Sequence, residues 1–392
     1  MSSKFFALGL FCLLFASLGR AQNNPAQMAA KPKVGIFIPL YLDSAFDAGG
    51  SYKYGTNVPK YALQGLEFYS GVQLALDSLQ KEGLAAEIFV VDTKDKYRSI
   101  SSHINGDMKD VSLLIGMAQN VGELRTLADA AHSKGIPFIS ATLPNDGGVT
   151  NNPSLVILNS TLKTHCQAIY DFLGKSFLKE NLVLIHKPGT QEDKIKAMMN
   201  EANRNSSSHL NWKQMDMPEN VSVGDLLPLL DSTKNNVIMC GTLDADFGSN
   251  LMKQMSTLRK TYRSTVIGMP TWDDIRTEKS DYKGVELIYS TPFLTYSGNT
   301  GIYNSITKQF KATSHSRPSD LVFRGFEVTY HFVKNLLANQ AHILDLSDRR
   351  NKIFSDFDLQ AVSLHNQSSP DYYENKKIYF VRLMDGINRG VN

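Results

Sequence analysis

The side chains best suited to hold or transform a small molecule stand where apolar runs stop. Tyr41 and Asp43 follow Val34–Leu40, Asp92 follows Glu87–Val91, and His186 ends Leu182–His186. Asp244 and Asp246 come after Asn236–Cys240, and Trp272, Asp273 and Asp274 come after Thr265–Met269. In open α/β sheets, ligands sit beyond the carboxyl ends of strands, so these positions are candidate contacts. Each also has a structural use. Asp43 can close a turn and Asp92 can pin its loop, while Asp244 or Asp246 can cap a helix starting near Phe247. Trp272 can stack on a ligand or cover the sheet end.

The chemistry these residues offer is recognition. Adjacent carboxylates such as Asp273 and Asp274 diverge instead of flanking one bond, and the nine histidines are scattered. Neither a Gly-x-Gly-x-x-Gly after the first strand, a phosphate-binding loop, a Gly-x-Ser-x-Gly, a His-Glu-x-x-His nor a Cys-x-x-Cys occurs. The expectation is a protein with no enzyme activity, no cofactor and no metal.

Periodicity says which elements position these residues. Val34–Leu40, Glu87–Val91, Ser112–Met117 and Ile136–Ala141 read as strands. Between them, Phe68, Val72, Ala75, Leu76 and Leu79 make one helix face, and Leu124, Leu127, Ala128 and Ala131 make another. The alternation restarts with a helix from Cys166 to Phe177 and continues through strands Leu182–His186, Asn236–Cys240, Thr265–Met269 and Val285–Ser290. A late helix carries Phe326, Tyr330, Val333 and Leu337, and a strand Lys377–Leu383 ends in an Asp385-Gly386 turn. Apolar strands each followed by a helix predict doubly wound parallel sheets, here in two lobes of about 120 residues or more. Facing carboxyl ends would enclose a cleft between the lobes.

Length and charge agree with this. The chain has 392 residues, with 41 Lys and Arg against 38 Asp and Glu, so no basic excess marks a nucleic-acid binder. Lys4, the apolar run Phe5–Leu18 and Gly19-Arg20-Ala21 read as an export signal cleaved after Ala21, with 22–33 as a flexible leader. Cys12 lies inside the apolar run, the wrong context for lipid attachment. Cys166 and Cys240 read as two buried thiols, although an oxidising compartment would let them pair. The expected protein is exported or periplasmic, soluble after cleavage, and monomeric.

Four segments carry a resemblance. They are KVGIFIPL with GLEFYSGVQLALDSL; DVSLLIGMAQNVGELRTLADAAHSKGIPFISA; NVIMCGTLDADFGSNLMKQM with TVIGMPTW; and FKATSHSRPSDLVFRGFEVTYHFVKNLL. They resemble type I periplasmic binding proteins of the branched-chain amino acid group. The C-terminal YYENKKIYFVRLMDGI is most similar to divergent Bacteroidetes-type members. The resemblance implies three crossings between lobes, near residues 158, 290 and 358. Lobe 1 would then be 34–158 with 291–358, and lobe 2 would be 159–290 with 359–392. It also implies capture of a small polar, amino-acid-like or amide ligand for the membrane permease of an ABC transporter. The family's carboxylate-binding positions fall at Asn120 and near Thr142, and those for the ligand ammonium fall near Gln191, Leu243 and Thr271-Trp272, with Asp244 close by. Asn120 equally suits the N-cap of a helix Val121–Ala131. Leu143 and Pro144 depart from the family pattern. That departure supports an alternative, a binding-protein fold used for protein interaction or regulation in the cell envelope.

Overall fold

The computed structural model describes residues 31–275, 280–294, 300–338, 349–364 and 369–391. The expected export signal and most of the leader lie outside the described residues. The apolar runs become the central strands of two seven-stranded sheets. The first has the order β11 (Leu359–Val362), β12 (Tyr372–Asn375), β5 (Leu155–Ile157), β4 (Phe138–Ser140), β3 (Val111–Gly116), β1 (Lys33–Ile38), β2 (Glu87–Asp92). The second has the order β14 (Ile387–Val391), β13 (Tyr379–Met384), β10 (Glu286–Thr291), β9 (Ser264–Gly268), β8 (Asn236–Cys240), β6 (Asn181–His186), β7 (Lys213–Asp216). Central pairs are parallel, but β11 with β12, and β13 with both β10 and β14, are antiparallel. Both sheets are therefore mostly parallel, as expected, with antiparallel strands added at one edge. Antiparallel strands need only short links, which is how the returning C-terminal chain can extend each sheet.

Eight helices are labelled here: α1 (Lys60–Lys81), α2 (Ile100–Asn105), α3 (Val121–Lys134), α4 (Leu162–Ser176), α5 (Thr190–Asn205), α6 (Ala245–Leu258), α7 (Thr300–Ser314) and α8 (Asp320–Ala338). Helix α8 is apolar on most of its surface, packing against α1 and sharing one core with the strands of the first sheet. Glycines let α1 and α8 approach backbone to backbone. A Cβ on Gly71 would lie 2.0 Å from Val322 O, and one on Gly325 would lie 2.2 Å from Phe68 O. Cys166 and Cys240 are both buried and unpaired, and burial pushes the Cys166 thiol up to about 12.

The chain passes from the first sheet to the second between Ile157 and Leu162, and returns between Thr291 and Thr300. The third passage lies between Asn375 and Tyr379, not near 358. Residues 359–375, expected in the second lobe, instead add β11 and β12 to the first sheet, with β12 pairing in parallel with β5.

Hydrogen bonds stitch the crossings together. Thr161 N, Thr161 Oγ1 and Thr164 Oγ1 of the second lobe donate to Glu374 Oε1 of the first at 2.7, 2.9 and 2.6 Å. Lys376 Nζ donates to Glu374 Oε2 at 2.6 Å, so this buried carboxylate is fully engaged. Ser160 Oγ donates to Asn375 O at 2.6 Å. Segment 354–358 joins the other two crossings. Leu294 N donates to Ser355 Oγ at 3.1 Å, and Asp356 N donates to Tyr379 OH at 2.7 Å. Glu327 of α8 anchors that segment by accepting from Phe354 N and Ser355 N at 2.9 and 2.5 Å.

Candidate functional site

In lobe 1 the carboxyl ends of β1, β2 and β3 converge on Tyr41. Its backbone is left-handed, at φ 58 and ψ 37, a conformation bulky side chains rarely adopt. Asp92, the last residue of β2, holds it there. One carboxylate oxygen accepts from Leu40 N at 2.9 Å, and the other accepts from Leu42 N at 2.8 Å. The strained turn aims the phenol at the loop after β3, where Tyr41 OH donates to Gln119 Oε1 at 2.9 Å. Tyr61 packs edge-on against Tyr41 with ring centroids 4.9 Å apart.

Glu123 on the first turn of α3 fixes the loop after β3. It accepts from Gln119 N and from Asn120 Nδ2, each at 3.0 Å, and pairs with Lys94. Asn120 Oδ1 accepts from Glu123 N at 3.0 Å, so Asn120 is the N-cap of α3. At the end of β4, Thr142 is held through its carbonyl, which accepts from Asn159 Nδ2 at 2.5 Å. Its hydroxyl is buried without a hydrogen-bond partner, as are those of Ser140 and Thr93. Three hydroxyls in this state at the carboxyl edge of one sheet are unusual, since buried polar groups are normally satisfied.

The carboxyl edge of the second sheet is more fully bonded. Thr242 Oγ1 donates to Glu192 Oε1 at 2.8 Å and accepts from Asp244 N at 3.1 Å. Asp244 caps α6 through Asp246 N and Phe247 N and pairs with Lys187 at 2.6 Å. That lysine holds the Asp244 carboxyl below its usual range. His186 shares a 3.2 Å hydrogen bond with Asp216. Beside the first and third crossings runs a groove of about 810 Å³ lined from both lobes, with Gln191, Lys194 and Met198 on one wall and Asp146, Tyr372 and Glu374 on the other. That volume is in the range of small-molecule pockets.

The expected site residues thus separate. Tyr41 and Thr142 stand at the lobe 1 edge of the cleft, and Gln191 lines the groove. Asp43 accepts from Lys96 N at 2.8 Å, tying two loops together. Asn120 and Asp244 are occupied as caps. Of the two roles open to Trp272, ligand stacking and cover of the sheet end, its setting fits the second: it is fully buried, and its Nε1 donates to Thr242 O at 2.9 Å. Gly248 and Gly268 open the slot it fills, so it covers the sheet end. Sequence reasoning missed Gln119, Glu123, Lys187 and Glu192. Only Glu123 carries a local signal, the Asn-x-x-Glu spacing of a capped helix start.

No protein-family model and no curated protein matches the chain. Solved structures do. A branched-chain amino acid ABC transporter periplasmic ligand-binding protein from Burkholderia xenovorans is 14% identical, with 92% of this chain and 95% of that one covered, at a TM-score of 0.58. An ABC transporter substrate-binding protein from Desulfitobacterium hafniense, in complex with Leu, is 11% identical, with coverage of 92% and 100% and a TM-score of 0.56. Full-length LpoA from Haemophilus influenzae is 11% identical at a TM-score of 0.58, covering 93% of this chain but 60% of that one. At these identities the likeness shows the fold: two α/β lobes of the type I periplasmic binding protein kind.

Proposed function

We propose that this is an exported solute-binding protein that takes a small polar, amino-acid-like or amide ligand into the interlobe cleft and delivers it to the permease of an ABC transporter. The observation that carries this reading is the carboxyl edge of the first sheet. There a strained Tyr41 is held in place by Asp92, and the Thr142 and Ser140 hydroxyls are buried with no partner. Strain and unsatisfied polar groups destabilise a fold and persist where a ligand uses them. Two of the structural neighbours named above are ligand- or substrate-binding proteins, which also speaks against catalysis.

The test is a thermal-shift screen of residues 22–392 against amino acids, short peptides, amides, sugars, nucleosides and cell-wall fragments. A ligand at 100 times its Kd stabilises the fold by about 2.7 kcal/mol, a readily visible shift. The expected hit is lost on Thr142→Val and on Tyr41→Ala. A hit that survives both changes places the ligand elsewhere.

A second reading, protein interaction in the cell envelope, draws on one observation. Leu42, Phe46, Tyr52, Tyr54, Val58, Tyr61 and Leu63, each between 37% and 45% exposed, all come from one segment at the mouth of the cleft. Clustered exposed apolar side chains are a mark of association surfaces. A flat screen, with an envelope partner captured by the native protein and lost on Phe46→Ser with Tyr54→Ser, would favour this reading.

A further inference from the structure

A half-buried guanidinium without a side-chain partner among the described residues lies beside the second crossing. Arg324 projects from the second turn of α8 and stands over Phe293, with its guanidinium carbon 3.9 Å from the ring centroid. Phe293 belongs to the second crossing. Arg324 Nε is buried and makes no hydrogen bond, and no carboxylate among the described residues lies within ion-pair reach of the group. Desolvation lowers its pKa, opposed by the nearby charges of Asp320, Asp273 and Glu327. Asp320 and Glu327 stand on its own helix. Asp273 is on the 3-10 turn Pro270–Asp274 of the other lobe. Its outer side is exposed, it too lacks a cation, and it feels repulsion from Asp274 and Asp320.

An arginine in this state gains from an acceptor, because a donor shut away from water without a hydrogen bond is unfavourable and a half-buried charge is poorly solvated. A free anion is disfavoured there by Asp273, Asp274 and Asp320. The acceptor that the fold can deliver is Asp273. Away from the crossings, no hydrogen bond among the described residues joins the two lobes, so rotation about the stitched crossings can bring the two groups together without breaking a contact at the rim. We propose that Asp273 and Arg324 form an interlobe ion pair that latches the two lobes in a closed state. Phe293 positions the guanidinium at the crossing, and Arg324 waits on lobe 1 for the carboxylate of lobe 2. The latch is independent of which ligand, if any, the cleft accepts.

The experiment reads interlobe distance in the ligand-free chain from residue 22. Cys166 and Cys240 are buried, so dyes go to Tyr97→Cys and Glu219→Cys, positions 86% and 82% exposed on lobes 1 and 2. Single-molecule energy transfer is expected to show a closed population. Asp273→Asn lowers the closed-to-open ratio roughly fivefold, the scale of a partly buried ion pair. Arg324→Gln does the same, the double variant is no worse than either single change, and Asp273→Arg with Arg324→Asp recovers closure. Asp273 is exposed on its outer side, so its variant tests the latch even where Arg324→Gln fails to fold. A distribution unchanged by Asp273→Asn overturns the proposal. So does closure of the wild type by 50 mM malonate or phosphate that Arg324→Gln abolishes, which would make Arg324 an anion site instead. Because no solute is present, failure here leaves the ligand screen to stand or fall on its own.

Discussion

Replacing Glu327 with Gln should remove a specific pH dependence from folding. Glu327 is 3% exposed, and burial pushes its carboxyl up to about 7, against the opposing hydrogen bonds from Phe354, Ser355 and the charge of Arg324. In the unfolded chain the same group titrates near its ordinary 4.5. Below that value both states hold the proton and the carboxyl is neutral. Between about 4.5 and 7 the folded protein binds a proton that the unfolded chain has released, so stability falls as pH rises, and above 7 the loss is complete. A difference of about 2.5 between the two pKa values, at about 1.36 kcal/mol per tenfold, amounts to about 3 kcal/mol. Urea unfolding of the wild type and Glu327→Gln, from pH 4.5 to 8, measures it. Gln keeps a carbonyl for the two backbone donors, and its amide can donate to Ser355 Oγ, so the structural change is small. The expected difference, wild type minus variant, declines by about 3 kcal/mol across the window, with the midpoint of the decline nearer 6 than 4. Other titrating groups cancel in that difference. A flat difference would refute the assignment of the buried proton to Glu327.

Contacts at Gly71, Trp272 and Glu374 each carry a further expected outcome. Gly71→Ala places a methyl 2.0 Å from Val322 O and should cost about 3 kcal/mol or more, read by chemical unfolding, because backbone cannot yield as a side chain does. Trp272→Ala should destabilise by about 3–5 kcal/mol through the cavity it leaves. Trp272→Phe, measured by calorimetry, should leave the affinity of any ligand found in the screen within about threefold, since the indole meets no solvent. Glu374→Ala strands three donors of the Thr161–Thr164 turn beside Lys376. It should lower stability by about 2–4 kcal/mol in the same unfolding assay, with Glu374→Gln recovering part of the loss.

The central strands were legible because they are buried on both faces and so are continuously apolar, as in Val34–Ile38 and Asn236–Cys240. The Asp385-Gly386 turn was equally legible, with φ 48 and 79 at its two residues, the positive values that Asp-Gly favours in tight hairpins. The edges were not. Lys213–Asp216 is exposed throughout and β5 has only three residues, too few to show a period. The third crossing, placed near 358 from the family resemblance, was missed for the same reason: β11 is a half-exposed edge strand of four residues, with no apolar run to mark the sheet it joins. The site was harder still. Asp92 grips residues about 50 positions away, and Glu374 grips residues more than 200 away. No local spacing encodes either pair. Trp272 was ambiguous because an aromatic after a strand suits both roles, and only the slot between Gly248 and Gly268 decides between them.

Polar satisfaction is distributed unevenly through the molecule, and the pattern bears on how it moves. At the crossings almost every group is bonded: Glu374 takes four donors, Asn375 bonds on both sides, and Glu327 anchors the segment that ties Leu294 and Tyr379. At the carboxyl edge of the first sheet the Thr93, Ser140 and Thr142 hydroxyls are unbonded, and between the lobes so is Arg324 Nε. Hydrogen bonds between neighbouring crossings resist shear of one lobe past the other more than they resist rotation about the crossings. An unbonded cleft contributes nothing that holds the lobes apart or together. For the closure proposed above, the free energy must come from groups that gain partners only when the lobes meet, and the Thr93, Ser140 and Thr142 hydroxyls and Arg324 Nε are candidates for that role.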